Sequence, residues 1–190
     1  MKKLLLVALV AVAAFATTEA KAQYFDGAAK TNFFGLFFGQ YQLAYELPVN
    51  ANSTVQLSGG LINRNWGIGN GDQTDRGLIL IPEYRYYFDE SMKGLYVGGF
   101  VRYRSASSEW SDAEGDIYYS SSRSSVGGGA LIGYQFVISE KMVIDLFAGP
   151  QYKSVDFSID DEFMDDEMPE LNGESDGFGG RFGLNIGLGW

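Results

Sequence analysis

The stretch GLILIPEYRYYFD, residues 77–89, alternates residue by residue. Leu78, Leu80, Pro82, Tyr84, Tyr86 and Phe88 share one parity; Ile79, Ile81, Glu83, Arg85 and Tyr87 share the other. Wound into a helix, these residues would mix charge and hydrocarbon around the axis. Extended, they separate onto two faces, so the pattern predicts a strand. The pattern recurs. Tyr41, Leu43, Tyr45 and Leu47 oppose Gln40, Gln42, Ala44 and Glu46; Val55, Leu57, Gly59 and Leu61 oppose Thr54, Gln56, Ser58 and Gly60. Leu95, Val97, Val101 and Tyr103 oppose Tyr96, Phe100, Arg102 and Arg104. Val126, Ala130, Ile132, Tyr134, Phe136 and Ile138 oppose small residues, Leu131 and Gln135; Ile144, Leu146, Ala148 and Tyr152 oppose Asp145, Gln151 and Lys153. At the end of the chain Phe182, Leu184, Ile186, Leu188 and Trp190 alternate with Gly183, Asn185, Gly187 and Gly189, and Arg181 lies on the sparse side.

The charges in these seven segments decide which face meets what. Glu46, Arg64, Glu83, Arg85, Asp89, Arg102, Arg104, Asp145, Lys153 and Arg181 all fall opposite the apolar rows. A face free of charge over seven strands is what contact with lipid demands, since a Lys or Arg at the bilayer midplane costs about 2–4 kcal/mol. The competing arrangement is a soluble barrel or sandwich with its apolar face inward. Its other face would then be crowded with Lys, Glu, Thr and Ser. Here that face is rich in glycine (Gly98, Gly127, Gly129, Gly133, Gly149, Gly183, Gly187, Gly189), which suits the inside of a narrow barrel.

Connections alternate in length. LPVNANS, DESMKG and ISEKM are short; 65–76, 106–124 and 155–177 are long and polar, as in outer-membrane barrels with short periplasmic turns and long external loops. The final strand then descends to the periplasm at Trp190. Tracing back requires one more strand before residue 40, for which KTNFFGLFF, residues 30–38, is the candidate. The expected fold is all-β, an eight-stranded antiparallel up-and-down transmembrane β-barrel. Tyr45, Tyr84, Tyr86, Phe88, Tyr134, Phe136 and Trp190 near the periplasmic ends, and Tyr41, Tyr103 and Tyr152 near the others, form two expected interfacial girdles. Pro82 and Pro150 lie inside strands and predict a bulge or distortion at each.

The beginning of the chain follows other rules. MKK, an apolar run over residues 4–16, and Ala20-Lys21-Ala22 read as a signal peptide, residues 1–22, with the barrel domain at 23–190. Residues 1–22 carry three Lys and one Glu, so cleavage takes the formal charge from −10 to −12. That acidity argues against nucleic acid as a partner. The chain has no Cys and no His, which removes disulfides, thiolate nucleophiles, a Ser-His-Asp site and most zinc sites. No catalytic residue, cofactor or metal ligand is assigned, and no enzymatic activity is expected.

The terminal strand, Phe182, Leu184, Ile186, Leu188 and Trp190, resembles the assembly signal of Gram-negative outer-membrane barrels, in which Phe is the usual last residue and Trp a variant. The whole chain resembles small barrels of the OmpA-transmembrane or OmpX type. Tyr45-Glu46, IPEYRYYF and KGLYVGGFVRYR are similar to a family of uncharacterised outer-membrane barrels, a domain of unknown function, over most of residues 30–190. The resemblance implies outer-membrane lipid and the barrel-assembly machinery as partners. It brings no activity.

Three groups remain. Glu46, Glu83, Arg85, Arg102 and Asp145 should project into the lumen, either as a gate or ion path or as a packed polar core that closes it; the narrowness of eight strands favours the second. Residues 155–176 hold ten acids and no base, readable as a cation-binding loop or as a solvated external one. Residues 105–125, rich in Ser and Tyr with Trp110, are either an adaptable binding loop or the tops of two strands. The expected role is structural or surface-interacting, through external loops toward an unidentified extracellular partner. The alternative is a narrow porin-like conduit for ions or small solutes; a third is a soluble lipocalin-like carrier.

Overall fold

Alternating sequence becomes alternating burial. In a computed structural model that describes residues 25–68, 71–111, 117–138, 141–159 and 176–190, eight strands close into one antiparallel barrel in sequence order. They are β1 (Ala28–Asn32), β2 (Gln40–Asn50), β3 (Ser53–Ile68), β4 (Gly71–Tyr87), β5 (Gly94–Ser111), β6 (Ile117–Ile138), β7 (Met142–Ile159) and β8 (Gly177–Gly189), with one short helix, α1 (Phe33–Phe37), after β1. The barrel closes by pairing Ala28 with Gly189 through to Asn32 with Asn185; Trp190 N donates to Gly27 O at 3.1 Å and Asp26 N to Trp190 O at 2.7 Å.

The rows chosen by parity point outward. Leu43 is 73% exposed, Phe182 70% and Leu61 66%, while Arg85, Tyr87, Tyr96 and Asp145 are fully enclosed. An apolar row runs from Leu95 to Tyr103 on β5 and from Val126 to Phe136 on β6. These lengths match the 9–11 residues a tilted strand needs to cross a bilayer. A soluble protein rarely exposes a contiguous apolar patch of more than a few hundred Å², and this belt girdles the molecule. The chain is a transmembrane barrel, and the soluble-carrier arrangement is set aside.

Two expectations need correction. The first strand is not residues 30–38: β1 ends at Asn32 and the phenylalanine run coils into α1. Apolar side chains on both parities give a strand no inner face to bury. Asn32 Oδ1 instead caps the turn by accepting from Gly35 N at 2.6 Å. Gly39, at φ +64, ends it; a Cβ there would lie 2.3 Å from Asn63 O. Second, 65–76 and 106–124 are mostly strand, because β3, β4, β5 and β6 continue to Ile68, Gly71, Ser111 and Ile117; of the two readings of 105–125, the tops of two strands hold. The distortion expected at Pro82 and Pro150 is present, as an opening of the ladder rather than a bulge. The β4–β5 ladder skips from Leu80–Tyr103 to Glu83–Phe100, and the β6–β7 ladder from Gly129–Gln151 to Ile132–Ala148, with register unchanged. Each proline lacks an N–H, so the ladder opens locally while its neighbours hold alignment.

The short turns are laced together. Asn52 accepts from Tyr87 N at 2.6 Å through its carbonyl and donates from Nδ2 to Asp89 O at 2.8 Å; Ser91 N donates to Ala51 O. The β4–β5 turn folds inward, burying Met92 (φ +67) with Phe25, Ala28 and Val143 across the short-turn end of the lumen.

Candidate functional site

Above that apolar floor lies a closed ionic network. Lys30 on β1 pairs with Glu46 on β2 and donates to Gln135 Oε1 at 2.8 Å, with Asp145 Oδ2 at 3.4 Å. Arg85 on β4 donates from Nε to Glu83 at 2.5 Å and from Nη1 to Asp145 at 2.9 Å, with Glu46 at 3.6 Å. Arg181 on β8 donates to Glu83 Oε2 at 2.6 Å. Three cations therefore face three carboxylates, drawn from five strands around the wall.

Neutral donors satisfy the remaining lone pairs. Thr54 and Tyr87 hydroxyls donate to Glu46 Oε1 at 2.5 and 2.7 Å; Tyr96 and Asn185 donate to Asp145 at 2.6 and 2.9 Å. Gln135 Nε2 donates to Met92 O at 2.6 Å, tying the network to the floor. Arg85 also lies 4.5 Å from the centroid of the Tyr96 ring, and Arg181 sits between Phe100 (4.4 Å) and Phe147 (4.6 Å). Buried charges are tolerated only when paired and hydrogen-bonded like this.

The glycines of the inner face make the room. A Cβ on Gly133 would lie 2.5 Å from the Tyr96 ring, one on Gly183 2.4 Å from Phe147, and one on Gly189 2.6 Å from Phe25. Each is a socket for a ring from elsewhere in the chain. Ile79, Ile81, Tyr87, Tyr96, Phe100, Leu131 and Phe147 pack as one cluster in the lumen.

Of the residues expected inside, Glu46, Glu83, Arg85 and Asp145 meet in this network. Arg102 faces inward too, but lines a separate cavity beside Phe147 and Arg181. Lys30, Gln135 and Asn185 were not anticipated as partners; Lys30 sat on the segment whose register parity could not settle. Tyr45, Tyr84, Tyr86, Tyr134 and Trp190 are exposed on the outer face near the short turns, with Tyr45 and Trp190 rings 5.6 Å apart and Tyr134 and Phe136 rings 4.5 Å apart. Phe182, Leu184, Ile186, Leu188 and Trp190 form one outward row on β8. Residues 1–22 lie outside the described residues, as do residues 160–175 of the acidic stretch 155–176. Among the described residues no group of three or more acidic side chains is placed to hold a metal.

The wall, the enclosed charges and the closure by β1 and β8 define a small transmembrane barrel with a filled lumen. The chain belongs to the DUF3575 family, described as proteins of unknown function, whose profile matches residues 5–172. No curated protein matches it. Two solved structures are similar, both of Ail, the attachment invasion locus protein of Yersinia pestis. One, in complex with the heparin analogue sucrose octasulfate, has 15% identity and a TM-score of 0.48; the other has 16% and 0.43. Each alignment covers 86% of this chain and 94% of Ail. At this distance neither says anything about what this chain binds.

Proposed function

We infer that this is a non-conducting outer-membrane barrel, exported with cleavage after residue 22, whose lumen is structural and whose working surface is the part of the strands beyond the membrane. The observation that carries the reading is the filled lumen. Phe25, Met92 and Val143 floor it, the ionic network occupies the next level, and the aromatic cluster packs with that network. Ions would have to displace pairs whose members have no exposed side-chain surface.

The outward extension is large. β6 has 22 residues, about 70 Å of strand at ~3.3 Å per residue, against the 9–11 residues that a span requires. β8 leaves β7 at Lys153 and β2 leaves β3 at Ile62, so β3 to β7 continue as an open five-stranded sheet. Its outward residues turn polar where the belt ends, at Arg76, Ser105, Ser107, Ser122, Ser124 and Ser154. Such a sheet suits contact with a partner at the cell surface.

Planar-bilayer recording tests the closed lumen. Wild-type barrel should show no stable unit conductance; discrete steps altered by Arg85→Ala would instead establish the conduit. Replacing residues 106–124 by a two-residue turn tests the sheet. The shortened barrel should still assemble, and cells carrying it should lose a surface-binding or adhesion phenotype.

A further inference from the structure

Among the described residues, the longest break in the barrel's ladder lies beyond the end of β1. β1 pairs with β2 as far as Thr31–Leu43 and with β8 as far as Asn32–Asn185, then stops. Beyond that level, Gln40–Gln42 of β2 and Gly177–Leu184 of β8 have no strand between them, and α1 spans the gap. Apart from the short openings beside Pro82 and Pro150, the other consecutive strands pair along the lipid belt. Backbone groups unpaired in hydrocarbon are costly, so a wall opening at membrane depth needs something to line it. Thr31 Oγ1 covers one such group by donating to Gln42 O at 2.9 Å.

Two cavities meet at this gap. The outer one, about 370 Å³, is an apolar groove on the lipid-facing wall, floored by Ala148 and Gly183 and flanked by Phe34, Ile132, Leu146 and Phe182. The inner one, about 180 Å³, lies behind α1 and is lined by Asn32, Gln40, Gln42, Arg102 and Arg181 together with apolar side chains. Phe34, Phe147 and Phe182 border both. The Phe34 and Phe182 rings, with centroids 6.4 Å apart and edge to face, are in contact where the two cavities border each other.

A groove open to hydrocarbon, backed by a half-polar chamber with two guanidinium groups, has the polarity of a single-chain anionic amphiphile. We propose that the gap between β2 and β8 is a binding site for a long-chain carboxylate, a free fatty acid, with its tail in the outer groove and its carboxylate in the inner chamber toward Arg102 and Arg181. Guanidinium forks suit carboxylates because they donate two parallel hydrogen bonds. The Arg181 side chain keeps 10% of its surface open. The site rests on the wall facing lipid, not on the lumen being closed, so a conductance result leaves it untouched. A chain that stayed in solution without detergent would overturn both.

The test is equilibrium binding of radiolabelled palmitate to the full mature barrel in nanodiscs of neutral lipid, with hexadecanol and phosphatidylglycerol as competitors. One saturable palmitate site per barrel is expected, and hexadecanol should compete at least tenfold more weakly than unlabelled palmitate. Ala148→Trp, which fills the groove from the lipid side, should weaken palmitate binding at least tenfold. Arg102→Gln should do so for palmitate and leave hexadecanol unchanged. Folding of each variant is checked by heat-modifiable migration on gels; if one variant does not fold, the other decides. Unsaturable uptake, equal competition by hexadecanol, indifference to the substitutions, or displacement by phosphatidylglycerol as readily as by palmitate would each overturn the assignment.

Discussion

Arg85 is the side chain on which the enclosed charges depend most. It touches three carboxylates, Glu83 at 2.5 Å, Asp145 at 2.9 Å and Glu46 at 3.6 Å, from a position without solvent exposure. Arg85→Met keeps much of the bulk and removes the charge, leaving Lys30 and Arg181 against three carboxylates. Unit charges 4 Å apart interact by about 4 kcal/mol at an effective dielectric near 20, and desolvation offsets much of that for an intact pair. Breaking a buried pair by removing one partner costs more than the pair's net worth, typically about 3–5 kcal/mol, because the other charge is stranded. Arg85→Met should therefore lower unfolding stability by about 3–5 kcal/mol. The double variant Arg85→Met/Asp145→Asn restores neutrality and keeps an acceptor for Tyr96, so its loss should fall short of the summed single losses by at least ~1 kcal/mol. Urea titration of the barrel in detergent, followed by tryptophan emission, measures each loss as the shift in midpoint times the slope. A loss below about 1 kcal/mol for Arg85→Met, or strict additivity in the double variant, would refute the claim that these charges act as one closed network.

Other predictions follow from the wall and the sockets. Ile132→Arg, in the middle of the apolar belt on β6, should destabilise by about 2–4 kcal/mol in the same titration, whereas Ser124→Arg, on the same face beyond the belt, should change it by no more than about 1 kcal/mol. Gly133→Ala drives a methyl to 2.5 Å from Tyr96 and 2.7 Å from Leu146 O, so it should cost about 1–3 kcal/mol; Gly99→Ala, with its nearest atom at 3.9 Å, should be near neutral. Trp190→Ala removes the ring 5.6 Å from Tyr45 at the seam between β1 and β8, and should cost at least ~0.5–1.5 kcal/mol; slower membrane insertion than Phe182→Leu would support its role as an assembly signal.

Much of the fold was legible because its solvent differs on its two sides. A strand between hydrocarbon and a packed lumen has a period of two and cannot hide a charge on the wrong parity, so Glu83, Arg85 and Asp145 could be placed inside by counting alone. The counting failed where that constraint lapsed. Residues 33–38 carry apolar side chains on both parities, so periodicity was silent, and the choice fell to the cap at Asn32 and the left-handed Gly39. Polar stretches looked like loops because water accepts both faces of a strand once it leaves the membrane. Whether Ser105–Ser111 and Ile117–Ser125 pair is decided by register with each other, not by their composition.

By itself, then, the order of residues determined strand number, which face meets lipid, and which parity carries the strand charges, because lipid sorts side chains locally, one position at a time. Only the closed barrel decided which enclosed charges touch: Lys30, Arg85 and Asp145 are far apart in the chain and meet because the staggered register of five strands brings them to one level. The glycine sockets, the floor built by Met92 and the wall gap beside α1 are likewise properties of closure. Each depends on what the opposite wall contributes, and no stretch of sequence carries that information alone.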